Sequence, residues 1–133
     1  MANLTTTNLN IGSSILQEAD FRDDTLTLAG ADTIVAGTIL ARDSSTLKLV
    51  LFVKGGTTNE NGIPKVILTD EVVATGAGDS AVRVAVAGKF RKERLIIDAD
   101  GDDSNIDAAV IDQLRDYGLT PINVTELNDL DNQ

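Results

Sequence analysis

From residue 25 onward, apolar residues recur mainly at every second position. They fall in short runs, and each run ends at Gly, Asn or Asp. A period of two is the signature of strands with one buried face, and these breakers mark the turns between them. The runs are Thr25–Leu28, Thr33–Ala41, Leu47–Val53, Lys65–Leu68, Glu71–Ala74, Ala81–Val86 and Arg94–Asp98. Gly37 inside the second run predicts a bulge or a close backbone approach. The third, LKLVLFV, is apolar almost throughout and predicts a strand buried on both faces. In Ala81–Val86 the alternation puts Val82, Val84 and Val86 on one face and Arg83 on the other.

Only one stretch has helical spacing. Ile106, Val110, Ile111, Leu114 and Tyr117 form a stripe, Ser104 and Asp107 supply an N-terminal signature, and Gly118 supplies the stop. A helix over about 105–117 follows. Leu119–Val124 contains Pro121 and reads as an edge strand. The fold class is therefore mainly β, a β-rich α+β domain. A length of 133 residues suits one domain with one substantial core.

The N-terminal end reads differently. Residues 1–14 are rich in Thr, Asn and Ser, yet Leu9 and Ile11 alternate with Asn8 and Asn10. Such a segment suits pairing with a sheet edge on another chain. Ser14-Ile15-Leu16-Gln17 matches a capping box and predicts a short helix over Ile15–Phe21, which Asp23 and Asp24 then end. The division expected is an arm over 1–24, a β-rich body over 25–124 and an acidic tail over 125–133.

Chemistry is limited by what is missing. The chain has no histidine and no cysteine, which excludes a Ser-His-Asp triad, a Cys-His pair and any zinc site built on those ligands. Ser80 in Gly78-Asp79-Ser80 thus has no common activating base and is read as part of a turn. Glycines 55, 56, 76 and 78 lead into no helix and precede no Lys-Ser/Thr, so they are not a phosphate loop. The run Asp98–Asp103 departs from calcium-loop register, with Gly101 fourth instead of sixth. It is read as a helix-capping loop. No metal or cofactor is expected.

Net charge is −10, and residues 98–133 hold ten acids against Arg115 alone. That balance repels phosphate backbones. The one basic cluster, Lys89, Arg91, Lys92 and Arg94, is read as a solvated strand-to-strand turn, so nucleic acid is not an expected partner. No segment approaches the ~20 apolar residues of a membrane-spanning helix, and no membrane partner is expected either. Residues 1–14 lack the basic start and apolar run of a secretion signal. The sequons at Asn3 and Asn123 are read as chance.

Ordered combinations of strand sequences then point further. Gly37-Thr38-Ile39-Leu40-Ala41-Arg42 is followed by Val66-Ile67-Leu68-Thr69-Asp70-Glu71-Val72-Val73-Ala74-Thr75. After a turn come Ala81-Val82-Arg83-Val84-Ala85-Val86-Ala87-Gly88-Lys89-Phe90, and finally Ile111-Asp112-Gln113-Leu114-Arg115 and Tyr117-Gly118-Leu119. This order and spacing resemble the head decoration (capsid stabilisation) proteins of lambda-like tailed bacteriophages. The resemblance implies a small barrel-like, tulip-shaped β body and a homotrimer on the outer surface of an expanded head. It also implies an arm that pairs with strands of the major capsid protein, cementing the shell against the pressure of internal DNA. On that reading the protein is a non-enzymatic virion component, made in the host cytoplasm. The arm's contact residues are then Leu4, Leu9, Ile11, Ile15, Leu16 and Phe21. The alternative is a surface-exposed carbohydrate- or receptor-binding β module, for which the lack of Trp and the single Tyr are unfavourable.

Overall fold

The computed structural model describes the backbone of residues 15–122 and the side chains of residues 19–122. In chain order it contains β1 (Ile15–Leu28), β2 (Asp32–Ile34), β3 (Ile39–Arg42), β4 (Leu49–Leu51), β5 (Pro64–Leu68), β6 (Val72–Ala74) and β7 (Gly78–Arg91). A 3₁₀ turn (Lys92–Arg94), α1 (Ala108–Asp116) and β8 (Leu119–Ile122) follow. The expected β-rich, barrel-like domain with one helix is the architecture observed.

The two longest strands organise the rest. β1 and β7 pair antiparallel from Ile15↔Phe90 to Leu28↔Gly78. The other edge of β7 is shared between β5, at Ile67↔Ala85 and Leu68↔Val84, and β8, at Gly88↔Leu119 through Arg91↔Ile122. From β5 the sheet continues antiparallel through β3 to β4. It then closes on β1 through one parallel pair, Leu26↔Leu49. The result is a closed five-stranded barrel, β1-β4-β3-β5-β7, with β8 appended.

Alternation gives the barrel wall two apolar faces and the domain two cores. Leu26, Leu28, Leu40, Leu49, Val66, Leu68, Val82 and Val84 fill the interior, and the two-stranded β2–β6 ribbon closes it with Ile34 and Val72. Ile39, Ala41, Ile67 and Ala85 face outward from the same strands. They are covered by Leu95, Ile97 and Ile106 of the crossover and by Val110 and Leu114 of α1. Each such fully buried side chain contributes about 1.5–3 kcal/mol. The crossover is fixed to the wall by Ile39 N–H donating to Ile96 O (2.9 Å) and Ile96 N–H to Gly37 O (3.0 Å).

Several expectations give way to tertiary pairing. The predicted helix over Ile15–Phe21 is the first half of β1, because β7 offers a ladder to the whole segment. Asp23 and Asp24 lie inside that strand. The run Thr33–Ala41 is divided at Gly37, whose φ is 96°, between strands of two different sheets. Only Leu49–Leu51 of Leu47–Val53 is strand. Leu47 instead takes a left-handed φ of 63° at the corner of the Asp43–Lys48 turn and is exposed. Arg94–Asp98 forms isolated bridges, not a strand. Lys89 and Arg91 belong to β7, so the basic cluster is a turn only over Lys92–Arg94. The helix is capped by Asp107, whose Oδ1 accepts from Val110 N–H at 3.1 Å, in place of Ser104, and Tyr117 leaves the buried stripe. The tail over 125–133 lies outside the described residues.

Gly88 is where β7 rolls over. Val86 packs toward the barrel interior, yet Phe90, at the same parity, fills the outer core. The β1–β7 register slips opposite this point, between Gln17 and Phe21. Gly88 has a φ of +135°, and a Cβ there would meet Ala19 Cα at 2.7 Å. Backbone strain and overpacking together cost about 3 kcal/mol. Gly88→Val is therefore expected to lower the urea midpoint by that equivalent. Gly30→Ala, with nothing within 4 Å, should leave it nearly unchanged; equal midpoints for the two variants would refute this account of the bend.

Candidate functional site

The site is assembled at one end of the β1–β7 ribbon. Ile15 and Pro121 flank Phe90 on opposite edges of β7. Two strand spacings separate them, about 10 Å. Segments 1–14 and 123–133 therefore join the fold at the same pole. Among the described residues, β1 advances from that pole with β7 on one edge only, and its other edge meets no strand until Leu26. Such an edge presents unpaired N–H and C=O groups.

Where β1 reaches the barrel, its hold on β4 is a single backbone pair, and two ion pairs bracket that seam. On the interior side, Arg42 Nη2 reaches Asp24 Oδ2 at 2.7 Å, while Arg42 Nη1 donates to Leu47 O at 2.8 Å. Asp24 and Arg42 share parity with Leu26 and Leu40, so the pair sits over the barrel mouth. On the outer side, Lys48 Nζ crosses β1 to Asp79 Oδ2 at 2.6 Å, and Thr27 Oγ1 donates to Asp79 Oδ1 at 2.7 Å. Burial opposes ionisation of Asp24. The bonds from Arg42 and Thr25 N–H together outweigh it and hold the carboxyl below its ordinary value. Lys48 and then Thr27 do the same for Asp79.

Of the arm residues read from the sequence, Leu4, Leu9 and Ile11 lie outside the described residues. Ile15 and Leu16 begin β1 at the pole, with Ile15 paired to Phe90. Phe21 stands further along β1 on the outer face and is 43% exposed. The structure thus gathers Ile15, Leu16 and Phe21 onto one strand. Sequence reasoning missed Arg83, whose guanidinium lies 5.0 Å from the centre of the Phe21 ring. Its signal was present, an outward Arg in an otherwise apolar alternating strand, but its neighbour depended on a register that the sequence does not state.

No reactive constellation emerges elsewhere. Ser80 lies in β7 opposite Leu26. In the Asp98–Asp103 loop, Asp102 Oδ1 accepts from Ser104 N–H and Asp103 Oδ2 binds Lys92 Nζ. Burial, with Asp32 adding repulsion, pushes the Asp98 carboxyl up. Among the described residues no three acidic side chains converge to hold a metal. A groove of about 560 Å³ lies between the 54–62 loop and α1, lined by Lys54, Glu60, Ala109 and Gln113. Lys54 is already engaged by the cap residue Asp107 at 2.7 Å.

Residues 4–119 match the family model of the bacteriophage lambda head decoration protein D. The chain belongs to that family. No curated protein matches it. Head decoration proteins are structural components of the virion on the outer surface of the capsid, and capsid decoration is the role that membership supports. The stretches behind the sequence resemblance become β3, β5–β6, β7, and the α1–β8 turn of this head decoration protein. They thus form the wall of the barrel and its cover.

The shifted carboxylates make a pH prediction. Asp24, Asp79 and Asp107 have folded pKa values below 3.8. Each contributes stability that is complete above the ordinary carboxylate value and lost as acid titrates the folded state. Asp98, raised, acts in the opposite direction and regains stability as pH falls. Asp43 and Asp102 are lowered too, so five such groups outnumber the one and urea midpoints should decline below about pH 4. Asp24→Asn should cost about 1 kcal/mol at pH 7 and flatten that decline. Parallel pH profiles for the variant and the parent would remove the Asp24–Arg42 ion pair from the account.

Proposed function

We propose that this head decoration protein acts as a homotrimer that binds the major capsid protein on the expanded head and cements the lattice against the pressure of packaged DNA. It is made in the host cytoplasm and added to the outside of the shell. Binding runs through the arm, residues 1–24, with Leu4, Leu9, Ile11, Ile15, Leu16 and Phe21 as contacts; the body over 25–124 supplies rigidity, and 125–133 is an acidic tail. The observation that supports this best is the root of the arm. Among the described residues β1 leaves the barrel as a half-paired strand, an edge suited to addition to a partner's sheet. Cementing needs edge pairing, apolar contact and a stable body, and no reactive group. Many symmetric copies give avidity, so each arm contact can be modest.

Deleting residues 2–14 leaves β1 and its ladder whole. The truncated chain should fold with an unchanged melting temperature, keep the mass of a trimer in solution, and fail to cosediment with expanded heads. Full cosedimentation by the truncation would overturn the arm's role. A monomeric mass for the parent chain, with and without heads, would overturn the trimer.

A further inference from the structure

The outer face of the β1–β7 ribbon carries a pair that the fold leaves unspent. The cores need nothing from Phe21 or Arg83. Phe21 is exposed on β1, and Arg83 is exposed on β7. The strand register sets Asp23 directly across from Arg83, on the same face. Yet among the described residues Arg83 has no carboxylate within ion-pair distance, and its guanidinium lies over the Phe21 ring at 5.0 Å. Stacking of this kind leaves the guanidinium edge and its N–H donors directed away from the ring. The pair thus presents an aromatic face bordered by a planar fork of donors. Aromatic and arginine side chains are the types that dominate binding energy in protein interfaces.

We propose that Phe21 and Arg83 form a docking knob for the major capsid protein, received by an apolar socket with a carboxylate at its rim. The inference rests on the capsid-binding reading above and extends it from the arm to the barrel wall. Two observations select the shell as occupant. Phe21 lies on β1 within the arm as delimited above, so a partner held by the arm is brought alongside this face. Family membership in the head decoration proteins points to the same occupant, and the cationic Arg83 sets what its socket must carry, an acidic group. Arg83 meets that counterpart bidentately, and Phe21 supplies the apolar contact.

The test uses full-length protein and purified expanded heads. Parent, Phe21→Ala, Arg83→Glu and Arg83→Lys chains are compared by cosedimentation, by mass in solution without heads, and by thermal melting. Phe21→Ala and Arg83→Glu should bind at least tenfold more weakly, with mass and melting unchanged. Arg83→Lys should fall between them and the parent, because it keeps charge but loses the fork. Parent-like binding by Phe21→Ala and Arg83→Glu would overturn the knob and remove Phe21 from the arm's contacts, while the role of residues 2–14 stands on the truncation above. Altered mass without heads would reassign the face to contact between copies, which also overturns it. A parent chain that never binds heads would instead refute the capsid reading itself.

Discussion

The pairing of β1 with β7 is the constraint on which the rest of the molecule depends. β7 cannot be a wall of the barrel, a partner for β8 and a platform for the crossover unless one edge is held along its whole length. β1 provides that edge. In return it is converted from a locally helix-prone segment into fourteen residues of strand. The close approach at Gly88 and Ala19 shows how tightly the two backbones are matched where the ribbon leaves the barrel.

Closure is achieved unequally around the barrel. Four of the five contacts between neighbouring strands are antiparallel ladders of two or more pairs, whereas β1 and β4 share one parallel pair. Ion pairs reinforce that seam on both sides of β1, with the inner one partly shielded from water and the outer one open to screening by salt. The helix and crossover press on the opposite side of the wall.

Much of this was legible in the sequence. The alternation of Val82, Val84 and Val86 located the interior of the barrel, and the stripe from Val110 to Leu114 located its cover. Pro121 marked the edge strand, and the absence of histidine and cysteine removed most catalytic chemistry before any fold was known. What was not legible was set by partners distant in the chain. Ile15–Phe21 matches a capping box because capping is local, and it forms strand because β7 lies alongside. Leu47 reads as strand, yet the Asp43 carboxylate collects the N–H groups of Ser45 and Thr46 and turns the chain there. Within the candidate site, Phe21 was singled out by the sequence. Arg83 was not, since only the register brings them together.

The same register has a consequence for how the chain reaches this state. Leu28 pairs with Gly78, fifty residues later, and Ile15 with Phe90, seventy-five residues later. Contacts so distant are made slowly, because the loop between them must be closed before they return any free energy. During synthesis β1 emerges first and waits longest, while β3, β4 and β5 have near neighbours to pair with. The β1–β7 seam is therefore among the last of the barrel to be closed as the chain emerges. Until it is, the full edge of β7 stands open to pairing with any extended chain nearby, so successful assembly favours conditions in which copies meet only after that edge is closed.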